Sequence, residues 1–219
     1  MSNLKGLLII TLFFLNIGCQ SLKEVAPDIT TNLKIEIEWD KSYGGNMNDV
    51  PKCMTKTKDG GLTIGGVSNT EFGNGNKQSY YLGYDNFWII AVDDLGNKIL
   101  DRSYSIDSRN HRIKKIITCQ DGGYILVGEI SCIGCNSYSS VLLYKIDKLG
   151  KFIWKYEAAN IDDELYFLDA LEKNNRDIVL ICREESSGLP LMIGLNKDAF
   201  EVFRNNYSDL GKISKAYCI

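Results

Sequence analysis

The feature that most constrains the fold is a pair of β-hairpin turns that recurs along the chain. Lys58-Asp59-Gly60-Gly61 returns 62 residues later as Gln120-Asp121-Gly122-Gly123, each time between two alternating apolar runs. A second turn of the form Asp-x-x-Gly follows at 93–96 and again at 147–150. Glycine supplies the positive φ that tight hairpins need, and the β-branched and aromatic flanks suit strands. Each pair of turns therefore predicts four consecutive antiparallel strands.

A third, weaker copy of the unit follows, with turns at 174–177 and near 196–200. A repeat spacing of about 50 to 60 residues is typical of solenoids, propellers and arrays. A single four-stranded sheet cannot bury both faces, so neighbouring sheets must stack, and radial stacking of such sheets gives a β-propeller. We therefore predict an all-β fold, an incomplete or open β-propeller-like array of about three four-stranded antiparallel blades.

The ends of the array are expected to be incomplete. The alternating pattern predicts a lone strand over Leu33–Tyr43 before the three sheets and one strand near Lys212–Cys218 after them. These strands are too few to fill a fourth sheet, so we expect one face of each terminal sheet to lack a neighbour. Poor cover is expected for Ile35, Ile37, Ile213 and Tyr217. Open edges and faces of this kind favour self-association, and a continuation into more repeats would make this chain a fragment of a longer propeller protein.

The amino-terminal sequence predicts where in the cell the protein is located. After Lys5, a largely apolar run from Gly6 to Leu15 would span only about 15 Å as a helix, which is too short to cross a membrane and fits a secretory signal. Ile17-Gly18-Cys19 resembles the lipobox of bacterial lipoproteins, with Asn16 where that motif usually has Leu. The resemblance implies a signal peptide over residues 1–18 and a lipid on Cys19, which becomes the first residue of the mature protein. The alternative is ordinary signal cleavage with Cys19 incidental.

The residues after Cys19 extend this interpretation. Residues 20–24 lack an aspartate at the second position, which in similar lipoproteins argues against retention in the inner membrane. A polar stretch then predicts a tether over residues 19–32, with the repeat domain over 33–219. We therefore expect a protein of the bacterial cell envelope, lipid-anchored to a membrane and most consistent with the outer one.

The repeat itself resembles one found in exported Bacteroidota proteins that are expected to form propellers. The shared pattern is W-x-K-x-Y, then D-G-G-Y-I-L-x-G, then an aromatic strand ending in D-x-x-G-N. The matching stretches are Trp39–Gly45, Asp59–Ile64, Asp85–Asn97, Asp121–Gly128 and Val141–Trp154. The resemblance implies propeller blades and implies little about activity, because propellers serve as scaffolds, binders and enzymes.

Two cysteines lie close together between the predicted strands of the second unit. Cys132-Ile133-Gly134-Cys135 could chelate a metal, exchange disulfides or close a loop. A closed zinc site needs four ligands, but the chain has no second C-x-x-C and only one histidine. A redox pair sits at a helix start, whereas this pair lies in a Gly- and Ser-containing loop. We expect a local disulfide or unpaired thiols at Cys132 and Cys135, and a small core residue at Cys182.

An aromatic run in the long insertion of the first unit supplies the candidate ligand-binding residues. Tyr80, Tyr81 and Tyr84 lie near Asn74 and Asn76. Aromatic faces with amide neighbours on a loop suit a carbohydrate or peptide. Phe87 and Trp88, which open a strand, are instead expected to pack between sheets.

Evidence for catalysis is weak in this sequence. Asp93-Asp94 and Asp162-Asp163-Glu164 lack the alternating pattern of a calcium loop and any partner base, so turn and surface roles account for them. The formal net charge of −3 and scattered basic residues give no support to nucleic-acid binding. We therefore favour a non-catalytic binding or scaffold module without a cofactor, for a glycan, peptide or protein partner. The alternative is a propeller-type enzyme, a hydrolase or quinoprotein-like oxidoreductase.

Overall fold

The computed structural model describes residues 37–82, 86–104, 109–131, 140–159 and 164–207. The chain divides into two compact units, Met1–Ile37 and Glu38–Ile219, and every described strand lies in the second. All regular elements within the described ranges are β-strands. The fold class is therefore all-β.

Three four-stranded sheets make up the second unit. The first contains β1 (Asp49–Lys56), β2 (Leu62–Ser68), β3 (Phe87–Val92) and β4 (Lys98–Tyr104). The second contains β5 (Asn110–Thr118), β6 (Tyr124–Ser131), β7 (Ser140–Ile146) and β8 (Phe152–Ala159). The third contains β9 (Leu165–Glu172), β10 (Ile178–Glu184), β11 (Pro190–Leu195) and β12 (Glu201–Asn206). Strands pair antiparallel in chain order within each sheet, which confirms the predicted open array of three blades.

In each sheet, the turn of the second hairpin is held by the same kind of side-chain hydrogen bonds. Asp93 Oδ1 accepts bonds from the backbone N–H groups of Leu95 and Asn97, at 3.0 and 2.6 Å. Asp147 and Asn196 accept the equivalent pairs in the second and third sheets. A short acceptor side chain that bonds the backbone two and four residues ahead fixes a turn. The interpretation of Asp93 as a turn residue is therefore confirmed.

Cores form where the sheets face each other through alternate residues of their strands. The core between the first and second sheets includes Phe87, Ile89, Leu100, Ile113, Ile116, Leu126, Leu142 and Ile146. The core between the second and third includes Val127, Leu143, Leu165, Leu180, Cys182, Leu191 and Ile193. Burial of apolar area at about 25 cal/mol/Å² makes these two contacts the main stabilising interactions between sheets. The expected positions of Phe87 and Cys182 are confirmed.

The two ends of the array differ from each other. Residues 37–45 belong to no strand, so the predicted strand over Leu33–Tyr43 is wrong in its described part, where no strand pairs with the backbone. Ile37 is 82% exposed, as expected. Side chains on the outer face of the first sheet are packed against Tyr43 and the insertion between β2 and β3, which corrects the expectation that this face lacks a neighbour. Ile35, Ile213, Tyr217 and the predicted strand near Lys212–Cys218 lie outside the described residues.

On the third sheet, the face turned away from the second sheet carries partly exposed apolar side chains. Val179, Ile181 and Met192 lie on this face, and Phe203 of β12 lies over Gly194. All six residues of β12 are exposed. The expectation of an uncovered terminal face therefore holds for the third sheet, among the residues that the structure describes.

Candidate binding surface on the first sheet

The insertion between β2 and β3 is fixed to the first sheet by one buried carboxylate. Asp101 of β4 is 2% exposed and accepts four hydrogen bonds. Two come from the insertion, from the Gln78 backbone N–H at 2.8 Å and the Ser79 hydroxyl at 2.7 Å. The others come from the Trp88 indole N–H at 3.0 Å and the Lys98 ammonium at 2.8 Å. Asp101 therefore links the first sheet to the insertion that crosses its face.

Trp88 lies under this insertion and not between two sheets, which corrects the sequence-based expectation. Its indole ring lies in a small cluster with Ile90 and Val92 on the outer face of the first sheet. The buried ammonium of Lys77 lies 5.9 Å from the ring centroid and donates a 2.7 Å hydrogen bond to the Ser79 carbonyl oxygen. Burial lowers the pKa of Lys77, and the Asp101 carboxylate opposes that shift. The insertion is thus packed on the sheet through buried polar contacts.

A second carboxylate, Asp49 at the start of β1, ties the insertion to the segment before it. Asp49 Oδ2 accepts hydrogen bonds from the Gly45 backbone N–H at 2.8 Å and the Thr70 hydroxyl at 3.0 Å. Asn76 adds a reciprocal pair of bonds, from Gly44 N–H at 2.9 Å and to the Ser42 carbonyl oxygen at 2.7 Å. Two surface segments are therefore locked together.

Two aromatic rings are displayed on this locked insertion. Phe72 and Tyr80 stack with ring centroids 4.7 Å apart and planes 15° apart, and they are 51% and 65% exposed. Tyr81 beside them is half-buried. Tyr84 lies outside the described residues. The structure thus places Tyr80 of the predicted set in an exposed aromatic pair.

Sequence reasoning missed Phe72, the partner of Tyr80. The chain reverses between them through Gly73 and Gly75, which both have positive φ, and Gly73 N–H donates to the Lys77 carbonyl oxygen at 3.0 Å. The sequence Phe-Gly-Asn-Gly-Asn is a turn signal that could have brought the two rings together.

A cleft of about 480 Å³ lies beside the insertion, lined by residues 42–46 and 74–76. The asparagine side chains that line it already make hydrogen bonds within the protein. The Asn76 side chain bonds Gly44 and Ser42, and Asn74 Oδ1 accepts a hydrogen bond from the Asn46 backbone N–H at 3.3 Å. These bonds shape the cleft, and the exposed stacked rings are the better candidate for a binding surface.

A second cleft, of about 160 Å³, lies between the second and third sheets. Asp121 sits in it between the Lys145 ammonium, at 2.8 Å, and the Arg176 guanidinium, at 2.9 Å. Burial opposes ionisation of Asp121, but the Lys145 and Gly123 hydrogen bonds outweigh it and hold the pKa of Asp121 below its usual range. The charges in this cleft bind one another and join the two sheets.

The described cysteines are poor nucleophiles. Cys53, Cys119 and Cys182 are free thiols. Burial raises the pKa of Cys53 and Cys119 to about 11 and that of Cys182 to about 12, so thiolate is scarce at neutral pH. Within the described ranges, no three His, Cys, Asp or Glu side chains are grouped as a metal site would require. Cys19, Cys132 and Cys135 lie outside those ranges.

No protein-family model matches the chain, and no curated protein sequence matches it significantly. In the part of the chain that the structure describes, no helix is long and apolar enough to span a membrane.

Proposed function

We propose that this protein is a lipid-anchored lipoprotein of the bacterial cell envelope that acts as a non-catalytic binding module, with the Phe72–Tyr80 pair as its ligand surface. The observation that carries the binding proposal is the exposed ring stack on an insertion fixed through Asp101. Anchoring through Cys19 rests on the resemblance of residues 17–19 to a lipobox.

A glycan is the ligand class that this surface favours. Sugar rings present C–H groups that pack against flat aromatic faces, and both residues of the stacked pair are more than half exposed. Because Asp101 and Asp49 hold the insertion in place before a ligand arrives, binding costs little ordering entropy. A peptide or a protein partner is the competing occupant.

The test is to measure oligosaccharide binding with and without the two rings. A glycan array would select a bacterial or host oligosaccharide, and titration calorimetry would then compare wild type with Phe72→Ala and Tyr80→Ala. Loss of one aromatic stacking contact is worth about 0.5–1.5 kcal/mol, so each variant should bind roughly 2- to 10-fold more weakly. Phe200→Ala is the matched control, because Phe200 is an exposed ring at the last hairpin turn of the third sheet.

Two results would contradict the glycan proposal. One is an array on which no glycan binds. The other is a bound glycan whose affinity is the same for wild type, Phe72→Ala and Tyr80→Ala. Binding of an extended peptide that depends on both rings would reassign the surface to a peptide partner.

The enzyme alternative would need groups that converge on a reacting atom. Several described groups with displaced pKa values serve other contacts: Asp101 fixes the insertion, Asp121 joins two sheets, and the Cys119 and Cys182 thiols are buried. No specific observation favours a hydrolase or a quinoprotein-like oxidoreductase over the binding module.

A further inference from the structure

Neighbouring sheets share one repeated contact at their second hairpin turns. The Tyr104 hydroxyl at the end of β4 donates to the Gly150 carbonyl oxygen of the next sheet at 2.8 Å, and Leu100 lies where a Gly150 Cβ would stand. At the following junction Trp154 occupies the Leu100 position, and its indole N–H donates to the Lys197 carbonyl oxygen at 3.2 Å. We name this arrangement the turn contact: an aromatic side chain that follows one sheet's second turn donates a hydrogen bond to a backbone carbonyl oxygen of the next sheet's second turn. The donor stands eight positions after Gly96 at the first junction and four positions after Gly150 at the second.

The turn of the first sheet is already occupied by residues 39–43. The Trp39 indole N–H donates to the Asp94 carbonyl oxygen at 3.0 Å, and the Tyr43 hydroxyl donates to the Gly96 carbonyl oxygen at 2.7 Å. The Trp39 ring lies where a Gly96 Cβ would stand, as Leu100 does at Gly150. Residues 39–43 therefore reproduce the turn contact with side chains alone, without being part of a strand.

The third sheet carries the opposite half of the turn contact. Phe203 and Tyr207 stand four and eight positions after the turn residue Ala199, as Leu100 and Tyr104 do after Gly96. The Tyr207 hydroxyl meets only the weak acceptor Met192 Sδ, at 3.8 Å, among its described hydrogen bonds. Phe203 is partly exposed, and no described sheet packs against this face.

We propose that β12 of one copy binds the first-sheet turn of a second copy, and that residues 39–43 of the second copy compete for the same turn. Tyr207 would replace Tyr43 as the donor to the Gly96 carbonyl oxygen. At the turns, this contact would repeat the contacts between the sheets of each chain, while the insertion between β2 and β3 continues to cover the rest of the first sheet's outer face. Because residues 39–43 are tethered to their own turn, they have the advantage of a high effective concentration, so unaltered copies associate weakly. The interface joins two different surfaces and so adds copies head to tail.

The interface can be tested with two different chains, one that supplies only the first-sheet turn and one that supplies β12. The acceptor chain carries Trp39→Ser, Tyr43→Ser, Phe203→Ser and Tyr207→Ser, so its first-sheet turn is open and its β12 is inactive. Wild type supplies the donor. Sedimentation velocity of each chain alone should show monomers at about 20 μM, and the mixture should show a 1:1 complex. A third chain with only Phe203→Ser and Tyr207→Ser is the control donor and should not bind.

Tyr43→Phe provides a milder test that keeps the apolar area of residues 39–43. It removes only the hydroxyl bonded to Gly96, so wild-type β12 should bind this chain several-fold more tightly than it binds wild type. Wild type could also self-associate measurably. The proposal would be supported equally if Phe203→Ser and Tyr207→Ser abolish that association and Tyr43→Phe strengthens it. Folded acceptor chains that stay monomeric with wild type, a Tyr43→Phe chain with unchanged association, or association that ignores the β12 substitutions would overturn it.

Discussion

Asp101 shows how a single side chain positions the surface that we propose binds a ligand. Asp40 and Asp101 occupy the same place in the repeated pattern, one residue after Trp39 and Leu100. Asp40 is exposed, whereas Asp101 is buried beneath the insertion and accepts four hydrogen bonds. The sequence pattern could not distinguish them, because burial of Asp101 depends on a segment more than 20 residues away folding over it.

Replacing Asp101 with Asn should destabilise the protein and change its response to acid. Burial alone raises the pKa of Asp101, but hydrogen bonds from Lys98, Ser79, Gln78 and Trp88 hold it below its usual range. Removing this buried charge should lower the unfolding free energy by about 2–4 kcal/mol at pH 7. Urea unfolding at pH 7 measures the difference.

The pH dependence follows from the sign of the shift. Because the folded pKa of Asp101 lies below the unfolded value of about 3.9, its stabilisation is present above that pH and is lost as pH falls through the folded pKa. Wild type should therefore lose more stability between pH 5 and pH 2 than Asp101→Asn does. Asp94→Asn, at an exposed carboxylate, is the control. Ordinary surface substitutions change the free energy of unfolding by less than about 0.5 kcal/mol. A change no larger than this in Asp101→Asn would refute the role given to Asp101.

At the scale of the element, the hairpin turns explain why the third sheet was predicted only in outline. Arg176 and Ala199 stand where the first two sheets have glycine, and both keep positive φ, at 69° and 66°. The Arg176 guanidinium bonds Asp121 of the second sheet at 2.9 Å. The turn geometry therefore survives although its sequence signal is lost.

Ala199→Gly should stabilise the third sheet. A residue with a Cβ costs about 1–2 kcal/mol in the left-handed region, and the greater freedom of glycine in the unfolded chain offsets part of this. The net gain in unfolding free energy should be about 0.5–1 kcal/mol by urea titration. Gly150→Ala is the opposite control, because its Cβ would lie 2.8 Å from Leu100 Cδ1. A less stable Ala199→Gly chain would show that the Ala199 methyl makes a contact that outweighs the strain.

Strand prediction succeeded wherever a pair of turns bracketed the apolar runs, and it failed at the amino-terminal segment. Alternation over Leu33–Tyr43 resembles a strand, but a strand also needs a partner for its backbone groups. Trp39 and Tyr43 instead bind the turn of the first sheet through their side chains. Of the Phe72–Tyr80 pair, the sequence pattern identified only Tyr80, because the chain reversal at Gly73 and Gly75 decides which rings meet.

At the scale of the whole molecule, the two terminal sheets of the repeat differ in structure. The first sheet has an insertion that covers its outer face and displays the ring pair, whereas the third sheet leaves its outer face uncovered among the described residues. The two ends of the array are therefore covered differently: the first sheet by segments of its own chain, and the third sheet by no described segment. Such a division agrees with a scaffold or binding module, for which a fixed attachment would be an advantage.

Replacing Cys19 with Ala should release the protein from membranes. In the proposed lipoprotein, cleavage before Cys19 removes the apolar run, so attachment to the membrane would depend on acyl chains carried by Cys19. Each buried methylene contributes about 0.8 kcal/mol, and stable anchoring needs more than one chain. In detergent phase separation, wild type should enter the detergent phase and Cys19→Ala the aqueous phase. Cys132→Ala should partition like wild type, and a Cys19→Ala chain that stays as strongly in the detergent phase would disprove lipid anchoring at this residue.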